Sequence, residues 1–213
     1  MSASEGNPLK TFTEELIDFA RGGRRGIRNP FVMVPVDPAI EKQVVAKLEA
    51  WASPGDPGRL KPWADVSDAR EQPTTVTAIR LDGVLPETKA FETSRDLGPL
   101  AEVTTDSVEG TLERNLAPEV VSNIIDTHLG EDGVPNAQTS VLVLLGLGSL
   151  YPFTRASELL DELDRRNVKT TVGIPFPGIV SGGRLSFFSE DARHYYPAHR
   201  IDEKIVGGML TDV

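Results

Sequence analysis

The stretch Ser140–Leu145 (SVLVLL), followed by Gly146-Leu147-Gly148-Ser149, decides the fold. After the serine it is apolar at every position, so both faces must be covered, as in a central strand of a parallel sheet. The glycines and then Pro152 predict a tight turn from strand to helix. The helix that follows runs to about Arg166, with Leu159, Leu160 and Leu163 inward. Lys169–Pro175 (KTTVGIP) is the next predicted strand. A loop holding Pro177, Gly178, Gly182 and Gly183 then leads to Leu185–Phe188 and an aromatic, basic tail.

The same alternation holds upstream. Leu9–Arg21 predicts an amphipathic helix with Phe12, Leu16 and Phe19 on one face, ended by Gly22 and Gly23. Phe31–Val36 (FVMVPV) is a buried strand, with Pro35 arguing against ladder pairing near its end. Asp37–Pro38 is a helix start, an N-cap acceptor before a proline. Ile40, Val44, Val45, Leu48 and Trp51 form the apolar stripe of that helix. Residues 53–61 (SPGDPGRLK) form a loop. Thr74–Leu81 (TTVTAIRL) is β-branched and predicts a strand. A short helix fits after Pro86, another fits Ser107–Leu116, and Pro118 starts a third that ends at Gly130. Strands alternating with helices imply an α/β fold: three layers, a mostly parallel sheet with helices on both faces, Rossmann-like or P-loop-like without a Walker A loop. The chain reads as a single domain over 1–213, with 1–28 as an N-terminal helix and Arg-rich turn. That first helix is either docked or a loose appendage.

Composition narrows function. The 213 residues hold 22 Lys+Arg against 32 Asp+Glu, a formal charge of −10. A chain of this size buries roughly 70 to 75% of its unfolded surface. With no cysteine, disulfide frameworks, iron–sulfur clusters and thiol nucleophiles are excluded. The N-terminal MSASEGNPLK lacks the basic and apolar regions of a secretory signal. No apolar stretch approaches the ~20 residues of a membrane helix, so a soluble, cytoplasmic protein is expected. The negative balance argues against broad nucleic-acid binding; Arg21, Arg24, Arg25 and Arg28 are the one local basic cluster.

No GxxxxGK[ST] and no GxGxxG occurs. Gly22-Gly23-Arg24-Arg25-Gly26 precedes the first strand, where no helix N-terminus can cradle a phosphate. Gly146–Ser149 is better placed, because ligands of open α/β sheets bind beyond the carboxyl ends of strands. It is either such a site or a plain strand-to-helix turn. His128, His194 and His199 show no metal-ligand spacing. Glu190–Asp191 and Asp161–Glu162 read as solvated carboxylate pairs. Ser157, Ser181 and Ser186 lack a nucleophile-elbow context. The tail is unusual: Arg184, Phe187, Phe188, Arg193, His194, Tyr195, Tyr196, His199 and Arg200 lie close together. Aromatic residues among arginines suit edge packing, a protein interface or stacking on bases.

The last third resembles the BrxB family of the BREX phage-resistance systems. The residues that carry the likeness are Val141–Leu145, Gly146 and Gly148, then Tyr151, Pro152, Phe153 and Arg155. Phe176, Pro177 and Gly178 follow, then Arg184, Leu185 and Phe188, then 194–199 (HYYPAH). Ser157, where the family often has His, the segment 179–183, Pro197 and His199 depart from its pattern and mark a divergent member.

The resemblance implies a component of an anti-phage defence system whose other members supply the chemistry. Those members are a DNA methyltransferase, an ATPase and the alkaline-phosphatase-like protein PglZ. It implies a non-enzymatic, cofactor-free protein-binding adaptor among the other BREX proteins, with PglZ the expected partner and DNA reached only indirectly. Gly146, Gly148, Tyr151, Pro152, Phe153, Arg155, Pro177, Gly178, Arg184, Tyr195, Tyr196 and Arg200 are the candidate partner- or ligand-binding residues. A degenerate nucleotide-binding protein and a nucleic-acid-binding accessory module remain the alternatives.

Overall fold

The structure is a computed structural model and describes residues 7–22, 30–52, 74–97, 105–129, 140–181, 184–187 and 198–210. Strands β1 (Phe31–Val36), β2 (Thr75–Arg80), β3 (Ser140–Leu145), β4 (Thr171–Ser181) and β6 (His199–Arg200) form a parallel sheet in the order β2-β3-β4-β1-β6. Strand β5 (Arg184–Phe187) folds back antiparallel on the far end of β4. The helices are α1 (Pro8–Ala20), α2 (Glu41–Ala52), α3 (Lys89–Leu97), α4 (Thr105–Ile124) and α5 (Ala156–Arg165). No helix among the described residues is long and apolar enough to cross a membrane.

The layers follow from the strand order. The chain runs back across the sheet from β1 to β2 and forward from β2 through β3 to β4. Right-handed crossovers therefore send α2 to one face and α3, α4 and α5 to the other. Two buried clusters match this. On one face Leu9, Phe12 and Leu16 of α1 and Val44, Leu48 and Trp51 of α2 pack on Val32, Val34, Val141 and Val143. On the other, Leu116, Val120 and Ile124 of α4 and Leu159, Leu160 and Leu163 of α5 pack on Phe31, Met33, Leu142, Leu144 and Ile174. The expected three-layer α/β fold is what the chain adopts. Helix α1 is docked: a Cβ on Gly173 of β4 would come within 2.7 Å of Leu16 and 2.9 Å of Phe12.

Prolines lie where the ladder asks for no donor. The Val172 N–H donates to Pro30 O, so Val172 turns its hydrogen-bonding edge to β1. In an extended strand the residues between, including Pro175 and Pro177, turn theirs toward β3. The β3–β4 pairing ends at Val143 opposite Gly173, so both prolines lie beyond the last paired residue on that edge. Pro177 and Gly178 are therefore inside β4, not in the expected loop, and the strand runs on into its pairing with β5. Pro35 lies within β1 for a similar reason: its edge faces the short β6, and its carbonyl accepts from Ile205 N.

Three further expectations need correction. Pro118 does not start a new helix but lies inside α4. The apolar positions Leu112, Leu116, Val120 and Ile124 recur every four residues across it and are all buried. Packing of that stripe on the sheet outweighs the local cost of the proline, about 3 kcal/mol. Glu162 is not solvated. It is buried, and its carboxylate takes Arg165 and, at 3.0 Å, Arg166. The segment after β2 also coils earlier than expected, into a helical turn at Leu81–Val84 ahead of Pro86.

Candidate functional site: a cleft at the carboxyl end of the sheet

The chain leaves β1 into a capped helix start. The Asp37 side chain accepts the Ala39 N–H at 3.1 Å, and Pro38 opens a 3-10 turn that leads into α2. This places Glu41 and Lys42 in the first turn of α2, beyond the strand ends. Strand β2 ends on Arg80, with Asp82 two residues on. Strand β3 ends into Gly146, whose φ of 71° is left-handed and suits glycine. Together Glu41, Lys42, Val45, Ala46, Arg80, Asp82, Gly146, Gly148 and Ser149 line a cleft of about 640 Å³.

Each glycine of the Gly-x-Gly pair faces a carboxylate. The Gly148 N–H donates to Glu41 Oε1 at 2.9 Å, and a Cβ on Gly148 would run into the same carboxylate. A Cβ on Gly146 would lie 3.6 Å from Asp82 Oδ1. The Ser149 hydroxyl turns back to donate to Gly146 O at 2.7 Å.

The two carboxylates differ in their surroundings. Arg80 grips Asp82 with two hydrogen bonds, of 2.9 and 2.5 Å, and reaches Glu49 at 3.5 Å. Those hydrogen bonds hold the Asp82 carboxyl below the usual carboxylate range and push the Arg80 guanidinium above its ordinary value. Glu41 moves the other way. Burial raises it most, the Gly148 N–H pulls it partly back, and the Asp82 charge raises it again. Glu41 makes no ion pair among the described residues.

The geometry bears on chemistry. A phosphate cradle needs unoccupied N–H groups. Here the Gly148 N–H is taken by the chain's own carboxylate, and a second carboxylate stands beside Gly146. Arg80, one of two cations lining the cleft with Lys42, is already held by Asp82 and Glu49. An approaching anion meets charge of its own sign at the glycine turn. Among the described residues no three His, Asp or Glu side chains converge to hold a metal ion.

Of the residues singled out in the sequence, Gly146 and Gly148 line this cleft. Tyr151, Pro152 and Phe153 form the turn that follows. Tyr151 and Phe153 pack against the α4–α5 core cluster, and Pro152, joined to Tyr151 by a cis peptide bond, is exposed. Arg155 is not carried on the helix but is the residue before it, its N–H donating to Glu158 at 2.9 Å. Pro177 and Gly178 lie in β4. A Cβ on Gly178 would strike the Ser186 carbonyl and the Phe176 ring, so glycine is what lets β5 lie close. Arg200 lies on the edge strand β6, paired with Met33 across β1, and reaches Asp202 at 3.5 Å. Beside it His199 reaches Glu15 of α1 at 3.5 Å, and its ring lies tilted against that of Phe19. Tyr195 and Tyr196 lie outside the described residues, as do Arg24, Arg25, Arg28, the 53–61 loop and the Arg184 side chain. Glu41, Arg80 and Asp82 were not singled out in the sequence. Their signal was positional: charged residues directly beyond predicted strand ends.

Fold and site define an open α/β protein in which side-chain carboxylates stand at the glycine turn where a nucleotide-binding sheet presents free amides. Comparison with known proteins makes the assignment narrower. A family model described as "BREX protein BrxB" matches residues 84–201, more than half of the chain. The chain belongs to the BrxB family and is a component of the BREX anti-phage defence system. No curated protein and no solved structure matches it. The matched stretch holds Gly146 and Gly148, whereas Glu41, Arg80 and Asp82 precede it.

Proposed function

We propose that this protein is a protein-binding adaptor within the BREX system, without catalysis of its own, and that the alkaline-phosphatase-like protein PglZ is its partner. The observation that carries this reading is the closure of the Gly-x-Gly turn by Glu41. In an open α/β sheet the carboxyl-end crevice is where a nucleotide would bind. Here its amide is spent on an internal hydrogen bond of 2.9 Å. Asp82 is locked in an ion pair with Arg80, which suits structure better than acid–base work. Family membership supplies the system, and the net charge of −10 suits contact with basic protein surfaces better than with DNA.

The test is co-expression of this chain with PglZ of the same system, followed by affinity capture and size exclusion. A co-eluting complex supports the adaptor reading. A folded chain that elutes alone overturns it. Calorimetry with ATP and GTP is the companion measurement; saturable heat would favour a nucleotide-binding protein instead.

A further inference from the structure

We propose that the carboxyl-end cleft is where a partner protein seats a lysine or arginine side chain, against the Glu41 carboxylate. The proposal rests on the adaptor reading and names the chemistry of its contact.

Glu41 is a half-buried carboxylate with one backbone donor, no ion pair among the described residues and a second carboxylate nearby. Burial and like charge both disfavour its ionised form, and the direct attraction of an incoming cation offsets them. The chain's own cations do not fill that role. Arg80 is held by Asp82 and Glu49. Lys42 is adjacent to Glu41 in sequence, and neighbouring helix residues do not face each other. The cleft, about 640 Å³, has room for a long side chain. Val45 and Ala46 line it and offer apolar contact for an aliphatic stem, as lysine and arginine require. A lysine or arginine from outside therefore meets a carboxylate, an apolar wall and an acidic protein that draws basic surfaces toward it. An anion would have to displace Glu41 from Gly148 first.

The experiment measures the affinity of the full chain for PglZ by titration at two salt concentrations. Glu41→Gln removes the charge but keeps an oxygen for the Gly148 N–H, and should weaken binding about tenfold, equivalent to about 1.4 kcal/mol. Lys42→Gln removes a like charge beside the incoming cation and should tighten binding by about twofold. Gly148→Ala pushes the carboxylate aside without removing it and should weaken binding as well, so the result does not hang on one variant. Equal affinity of Glu41→Gln and wild type overturns the cleft contact while leaving the adaptor reading standing. Weaker binding by Lys42→Gln also overturns it, since that is the mark of an anionic partner group. No binding by the wild-type chain overturns the adaptor reading and this inference with it.

Discussion

Gly148 donates its amide to the Glu41 carboxylate at 2.9 Å across a separation of 107 residues. The bond ties the start of α2 to the turn after β3. It also explains why position 148 carries no side chain, since a Cβ there would collide with the acceptor. The turn that looks most like a ligand loop in the sequence is thus held by an internal contact.

The burial of Glu41, which outweighs the Gly148 hydrogen bond, makes stability depend on pH in a defined sense. The Glu41 carboxyl is raised in the folded state. Its contribution is therefore fully present below the unfolded value, near pH 4.3, and is lost as pH rises through the folded value. Glu41→Gln, which keeps the acceptor, should melt a few degrees above wild type at neutral pH. The difference should close as the solution is acidified. Thermal melts by circular dichroism across this range check it; a gap that widens with acid would contradict it.

Asp82 should behave in the opposite way. Its carboxyl is lowered by Arg80, so its contribution is present above the ordinary value, near pH 3.9, and is lost as pH falls through the folded one. Both side chains are largely exposed, at 50% and 43%. Asp82→Asn should therefore cost only about 0.5–1 kcal/mol at neutral pH, with the loss shrinking toward low pH in urea titrations.

Gly148→Ala should destabilise by about 1–3 kcal/mol, the usual range for overpacking. Glu41→Ala should relieve much of that cost, because it removes the group the new methyl strikes. A double-mutant cycle by chemical denaturation reads the coupling. Additive effects would show that the two residues do not share the contact.

Helix α1 is part of the core. Leu16 is fully buried and sits over Gly173. Leu16→Ala should cost about 2–5 kcal/mol in a single cooperative unfolding transition. A loose appendage would leave the main transition unmoved.

Pro118→Ala should stabilise by about 1–2 kcal/mol. It restores an N–H to the interior of α4 and removes a steric conflict; the extra freedom of the unfolded chain offsets part of the gain. Denaturation midpoints at unchanged m-value would register it.

Much of the fold was legible because its signals are local. The strands at Phe31–Val36 and Ser140–Leu145 and the stripe of α2 can be read from periodicity and caps alone. Prolines are the hardest signals to place. Pro118 reads as a helix start and Pro177 as part of a loop, since a sequence does not show which way a backbone N–H would have pointed, or what packing holds the chain on either side. The candidate site was legible by half. Gly146 and Gly148 announce themselves after a strand, but Glu41 and Asp82 look like any surface charge until β1, β2 and β3 bring their ends together.

The alternation of strands and helices, the two apolar helix faces, the acidic balance and the BrxB likeness are all written in neighbours along the chain, so they can be read without coordinates. Which charges meet at the glycine turn depends on the fold. The strand order β2-β3-β4-β1-β6 carries α2 back across the sheet. That crossing delivers a carboxylate from position 41 to an amide at position 148, and no local pattern encodes so distant a meeting.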